Sequence, residues 1–298
     1  IYIMKHLFTL LALTISFSVN AQVQYSGTNI SGSVASAIGY FTEASGYTST
    51  AMGNGSTASG YSSTAMGAST TADGDVSTAM GASTTATGTY STAMGYGTIA
   101  NGDYSTVMGY TTEANGYTST AMGWYTEAIG DYSTAMGRET EASGFSSTAM
   151  GYYSTASGFS STAMGYGTIA SGYASTAMGY GTKASDYGST VIGQFNNSLS
   201  SITSGGSANS FNLANTAFVI GNGTGAFETD DAFKVMFNGD AYVSSSLYLG
   251  GTAITSTADE LNLLSGVTAI LSSVTEGGNT GVRLSTSVAD NHGDIGAN

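Results

Sequence analysis

Between residues 31 and 193, small, apolar and hydroxyl-bearing positions return with a period of 14. Gly stands at 39, 53, 67, 81, 95, 109, 123, 137, 151, 165, 179 and 193. A second Gly set falls midway, at 46, 60, 74, 88, 102, 116, 130, 144, 158 and 172. Asp186 alone interrupts that second set, and Asp is among the few residues that tolerate positive φ. Ala recurs without exception from Ala44 to Ala184. Each unit reads as two halves of seven, Ser/Thr-x-Ala-x-Gly-x-x. Within a half, the hydroxyl residue, Ala and Gly lie at i, i+2 and i+4, the alternation of a strand with all three on one face. The two remaining residues have the length of a tight turn, with Gly supplying the unusual backbone angles. A coiled coil is rejected, because the repeated positions are small or β-forming and Gly breaks helices.

Two five-residue strands and two turns make one flattened coil of a solenoid. Stacked coils pair as parallel strands about 4.8 Å apart, giving a rod of roughly 55–60 Å. The Ser/Thr, Ala and Gly face is the expected interior, since closely opposed strands admit only small groups. Its hydroxyls are expected to bond to backbone or to the next coil. The alternate positions point outward. Met52, Met66, Met80, Met94, Met108, Met122, Met136, Met150, Met164 and Met178 then form one external stripe, ended by Ile38 and Ile192. An apolar ladder of that length is expected to be covered by other copies of the chain meeting at a shared axis. The period predicts self-association, not the number of subunits.

Composition narrows the class. The 298 residues include 43 Gly, no Pro and no Cys, and only 8% are charged. Such a Gly content suggests disorder, but the 41% hydrophobic residues and 20 Tyr point to an ordered chain of small side chains. A net charge of −14 with five Lys and Arg excludes nucleic acid and anionic membrane surfaces as partners. Met4 is read as the start, followed by basic Lys5 and His6, apolar Leu7 to Val19, and small residues before Gln22. Residues 1–21 therefore read as a secretory signal peptide.

The repeat resembles the YadA-like head repeats of trimeric autotransporter adhesins, whose 14-residue unit is Ser-x-Ala-x-Gly followed by a second x-Ala-x-Gly. Ser91 to Gly95 (Ser-Thr-Ala-Met-Gly) is typical, and the resemblance covers residues 31–193. It implies an all-β, left-handed parallel β-roll, a homotrimer, and a surface protein of the outer membrane that attaches to an extracellular protein or glycan. Some relatives contact collagen through Asn-Ser-Val-Ala-Ile-Gly. The nearest segments here, Ala35–Gly39 and Tyr132–Gly137, replace its Asn, and the second also replaces its Ile with Met, so collagen binding is not carried over.

The β-roll head is expected over residues 22–193 and a Ser/Asn/Gly-rich linker over 194–215. A small β segment is expected over 216–250, with a turn at Asn238-Gly239 and a returning strand from Tyr242 to Leu249. Residues 251–298 read as a neck. Gly250 to Val267 resembles phage tail fibres, with capping-box spacing at Thr257 and Glu260 that predicts a short helix over 258–265. The family's membrane anchor is not found, and the chain is expected to be truncated at Asn298.

The chain is read as no enzyme and as needing no cofactor. Its two His, at 6 and 292, cannot complete a catalytic or zinc site in the roll. Glu113, Glu127 and Glu141 share one outward position in successive coils, so like charges stack about 5 Å apart. They are the weak metal candidate; a solvated edge is the plainer reading. Aromatic residues follow the glycines at both turns: Tyr96, Tyr110, Trp124, Tyr152 and Tyr166 on one edge, Tyr47, Tyr61, Phe145 and Phe159 on the other. They either stack to stiffen the coil or form a rim for ligand. An adhesin head is the leading function. A structural segment of a tail-fibre-like appendage is the alternative, and an ice-binding solenoid, which needs two outward Thr columns, is the remote one.

Overall fold

Thr92–Tyr96 lies between Thr78–Ala82 and Thr106–Tyr110 and pairs in parallel with both. The register is 14: Ala93 faces Ala79 and Val107, and Met94 faces Met80 and Met108. The same pairing runs from Ser36–Tyr40 to Thr190–Gln194. A second ladder runs from Asn29–Ile30 to Lys183–Ala184 in twelve short strands. The computed structural model describes residues 27–197, 206–256, 271–276 and 279–284. It is an all-β parallel solenoid of about twelve 14-residue coils. No helix occurs among the described residues. The expected signal peptide and the expected helix over 258–265 lie outside them.

Ala and Ser/Thr do form the interior. Ala51, Ala58, Ala65 and their successors are completely buried, as are Ser56, Thr70, Thr84 and Thr98. Two expectations need correction. First, the coil is asymmetric. Its second strand has only two residues, as in Thr57–Ala58, because Ser59 and Gly60 both donate to the carbonyl of Ala72 at 3.0 and 3.2 Å. Two donors on one acceptor end the ladder. Second, most interior hydroxyls have no protein partner. Ser56 Oγ donates to Gly67 O at 3.1 Å and accepts from Thr70 Oγ1 at 2.9 Å; Ser154 does the same with Gly165 and Thr168. Ser119 and Ser189 bond back to the carbonyls of Gly116 and Asp186. Thr84, Ser91, Thr112 and others have none. Where Thr replaces Ser56 or Ser154 in the column, its hydroxyl does not cross the core.

The glycines fall into two kinds. Gly53 and its equivalents combine positive φ, +116° at Gly53, with close approach: a Cβ there would lie 1.9 Å from the carbonyl oxygen of Gly67. They lie one residue before the end of the long strand and are not part of the closed interior. The second set, such as Gly60, has no positive φ and is glycine for space alone, with Gly74 O at 2.0 Å from an added Cβ. Asp186 is thus tolerated because no further coil stacks on it, not because of φ. The left-handed turn residue is instead the second residue after each glycine. It is usually not Gly: Ser62, Tyr90, Tyr104, Tyr125, Glu139 and Tyr153 all have φ between 52° and 59°. Each such conformation costs on the order of 1 kcal/mol. The cost is offset by an inter-coil bond, as from Tyr90 N to Asp75 O at 2.8 Å. Asp75, Asp103 and Asp131 add a side-chain bond, each taking a turn N–H of the coil below (Tyr61, Thr89 and Tyr117) at 2.8 Å.

The last coil is closed by polar side chains. Asn196 accepts from Lys183 N at 2.7 Å and donates to Lys183 O at 3.0 Å, so its amide stands in for the next short strand. Thr216–Asn222 then adds one more parallel strand to the long ladder, with Val219 on Val191 and Ile220 on Ile192. Asp231–Met236 and Ala241–Val243 follow as antiparallel strands joined at Asn238-Gly239. The returning strand is shorter than the expected Tyr242 to Leu249. In the second compact unit, Ser245–Asn298, Tyr248–Leu249 instead pairs with Thr252–Ala253. Leu271–Glu276 pairs antiparallel with Asn279–Leu284 in that unit.

Candidate functional site

The methionine column is continuous. Met52 pairs with Met66, and the register carries through Met122, Met136 and Met150 to Met178. Apart from Met108, at 37% exposure, these side chains are half-buried by their own neighbours in the stack. Ile192 continues the stripe to the end of the repeat, and Ile220 carries it past the repeat. Sequence reading missed Ile220 because 28 residues, not 14, separate it from Ile192. The signal was there in Val219-Ile220-Gly221-Asn222, which repeats Val191-Ile192-Gly193-Gln194.

On one turn edge Tyr96 stacks on Tyr110 at 5.1 Å, Tyr110 on Trp124 at 6.4 Å, and Tyr166 on Tyr180 at 4.7 Å. Tyr152 meets Tyr166 edge-on at 5.0 Å. Arg138 takes the aromatic place between Trp124 and Tyr152, with its guanidinium 4.2 and 5.0 Å from the two rings. On the other edge Phe145, Phe159, Tyr173 and Tyr187 stack at 4.8 to 5.1 Å. Ring faces in the stacked runs are therefore turned to one another, and ring edges and hydroxyls meet solvent. The left-handed positions bring a further column, Tyr125 and Tyr153, beside the first. Its seven-residue offset from the turn on the opposite edge hid it in the sequence.

Glu113, Glu127 and Glu141 do share a register, Glu127 pairing with both others. Burial first, then the charges of Glu113 and Glu141, push the Glu127 carboxyl above the usual carboxylate range. Glu127, Glu139 and Glu141 border an open groove of about 540 Å³ with Trp124, Tyr125 and Tyr153. A hydrogen bond to Glu139, then one to Tyr152, hold the Tyr153 phenol above its ordinary value. Arg138 pairs with Glu139 at 3.2 Å. Among the described residues, no three acidic or imidazole groups converge as a metal site requires.

Against known families, the YadA head domain repeat matches residues 31–56, 58–84, 86–112, 114–140, 142–168 and 170–196, more than half of the chain. The chain belongs to the YadA head repeat family. YadA-type head repeats are typical of trimeric autotransporter adhesins, which are exposed on bacterial surfaces. The family match ends at residue 196, just where the Asn196 amide closes the short ladder. The resemblance of Gly250 to Val267 to tail fibres gains no support from it. No curated protein matches the chain.

Proposed function

We propose that this chain is the non-enzymatic head of a homotrimeric adhesin on a bacterial surface. The observation that carries this reading is the outward column of Ile38, ten methionines, Ile192 and Ile220. It holds one register over the whole solenoid. Such a stripe on a single chain meets water, and three copies around one axis cover it. Methionine suits this role because its flexible thioether fills irregular gaps between copies. The trimer then repeats every turn edge three times, and the repetition multiplies weak contacts into avid attachment. Catalysis has no place in this reading, since the abundant Ser and Thr of the interior are buried in a closed core. Ice binding loses its second Thr column, because Thr42, Ser56, Thr70 and Thr84 are buried.

Attachment is tested by coating beads with the chain and measuring their retention on cultured cells and extracellular matrix. Retention well above that of beads carrying Met122→Glu/Met136→Glu chains supports the adhesin. Equal retention of both rejects it.

A further inference from the structure

Near the end of the solenoid a cleft of about 320 Å³ opens beside Tyr166 and Tyr180, under the Phe195 ring and against Ala226 and Thr229. Its floor exists because of two residues. The left-handed turn position holds Tyr125, Glu139 and Tyr153 in the preceding coils, but Gly167 and Gly181 here. Nothing lies within 4 Å of where a Gly167 Cβ would be. The space that Tyr153 fills one coil earlier is therefore left empty at Gly167, whereas at Gly181 it admits the Phe195 ring.

The chemistry of the lining is unlike that of the rest of the chain. Lys183, one of only five cationic Lys and Arg in a chain of net charge −14, lies at its edge and is exposed. No acidic residue lines the cleft, and Lys183 makes no ion pair among the described residues. Tyr166 and Tyr180 stack at 4.7 Å, and Phe195 meets Tyr180 edge-on at 4.7 Å, so the apolar walls are fixed before any ligand arrives. The two Tyr hydroxyls and the Thr229 hydroxyl supply polar groups around these walls, while the buried Asn196 amide is engaged with the Lys183 backbone and fixes that residue's place at the edge. The volume is at the lower end of the range for ligand clefts, room for one ring rather than a long chain.

From this lining we infer that the cleft binds a single anionic sugar unit, carboxylated or sulfated, with its apolar face against the Phe195 ring and the ring edges of Tyr166 and Tyr180, and its acidic group at the Lys183 ammonium. A ring with one apolar face, hydroxyls at its periphery and one negative charge matches the wall, rim and cation in turn. The inference rests on the attachment reading for its biological setting and gives that reading a ligand class.

The test is titration of the full chain with glucuronic acid, N-acetylneuraminic acid and glucose 6-sulfate, followed by calorimetry and saturation-transfer NMR, with glucose and benzoate as comparisons. At least one acidic sugar is expected to saturate, at least tenfold tighter than glucose or benzoate. Lys183→Gln is expected to reduce it to the glucose level. Gly167→Tyr is expected to abolish it while leaving the circular dichroism unchanged and the melting lowered by no more than a few degrees, the cost of a side chain at positive φ that Tyr153 already bears at the equivalent position. Absence of saturation by all three acids, equal binding of glucose or benzoate, or full binding by Gly167→Tyr each overturns the inference. The two readings fail separately. Beads that adhere without sugar binding sink the cleft alone, and sugar binding without adhesion sinks the attachment reading alone.

Discussion

The Asp186 carboxylate, wholly buried, accepts the backbone N–H of Thr216 at 2.6 Å across 30 residues of chain. In the coils below, this position is Gly, because the next coil passes too close for a Cβ; at Gly172 the obstructing atom is the carbonyl oxygen of Asp186 itself, 2.1 Å away. Above Asp186 the repeat stops, and its side chain occupies the place of the missing coil. Together with the Asn196 amide on Lys183, it ties the returning chain onto an end that otherwise exposes backbone donors and Ala.

Burial raises the Asp186 pKa, and the hydrogen bonds from Thr216, backbone and then side chain, lower it in part. The net shift is upward, so the folded chain holds this proton more tightly than the unfolded one. The associated stability is present at low pH and lost as pH rises through the raised value. Asp186→Asn keeps an acceptor for Thr216 and removes the charge. It is expected to raise the melting temperature at pH 7 by a few degrees, with the gap to wild type closing as pH falls into the carboxylate range. Asp186→Ala orphans the Thr216 N–H and is expected to cost about 1–3 kcal/mol. Thermal melts from pH 4 to 8 check both.

The orphaned interior hydroxyls make a second prediction. Thr112 Oγ1 is buried without a partner, whereas Ser56 Oγ has two. Replacing an unsatisfied hydroxyl by a methyl of similar shape removes a desolvation penalty without opening a cavity. Thr112→Val is expected to stabilise by about 1 kcal/mol and Ser56→Ala to destabilise by about the same. Chemical denaturation of the two variants decides it, and the signs should be opposite.

The two kinds of turn glycine separate by substitution. At Gly116 an added Cβ would lie 2.1 Å from the Gly130 carbonyl oxygen, and the coils must part; Gly116→Ala is expected to cost on the order of 4 kcal/mol or more. At Gly97, φ is +62° but the nearest atom to an added Cβ is 3.4 Å away. Gly97→Ala should cost only about 1 kcal/mol. Hydrogen exchange should show opening around residue 116 in the first variant and little change in the second.

Glu127 stands between two like charges in register, and its pKa is raised first by burial and then by the charges of Glu113 and Glu141. Its repulsion appears as the carboxylates ionise and is absent when they are protonated. Glu127→Gln is expected to add about 0.5 kcal/mol at neutral pH and nothing near pH 3. Added salt should narrow the difference at neutral pH.

The interior was legible in the sequence because a period of 14 with alternating small residues has one consistent folding. Ala44, Ala51 and Ala58 are buried where that alternation puts them. The short second strand was not legible, since Ser56 to Gly60 has the same alternation as Ser49 to Gly53; only the shared acceptor Ala72 distinguishes them. Nor was the left-handed turn column, because local propensity argues against Tyr90 or Tyr153 at positive φ, and the inter-coil bonds that hold them there come from stacking. The end cap was hidden for another reason. Asp186 and Thr216 meet only after an insertion that breaks the period, and no spacing rule connects them. The cleft over Gly167 follows from an exception to a column that was itself unrecognised.

The central claim is that the methionine stripe is the interface of a trimer. Light scattering on the chain measures its solution mass directly. The account predicts three times the mass of the 29.9 kDa chain, falling to the mass of one chain in Met122→Glu/Met136→Glu. A wild-type chain that stays folded and monomeric across the concentration range would contradict it, as would a trimer that survives both glutamates.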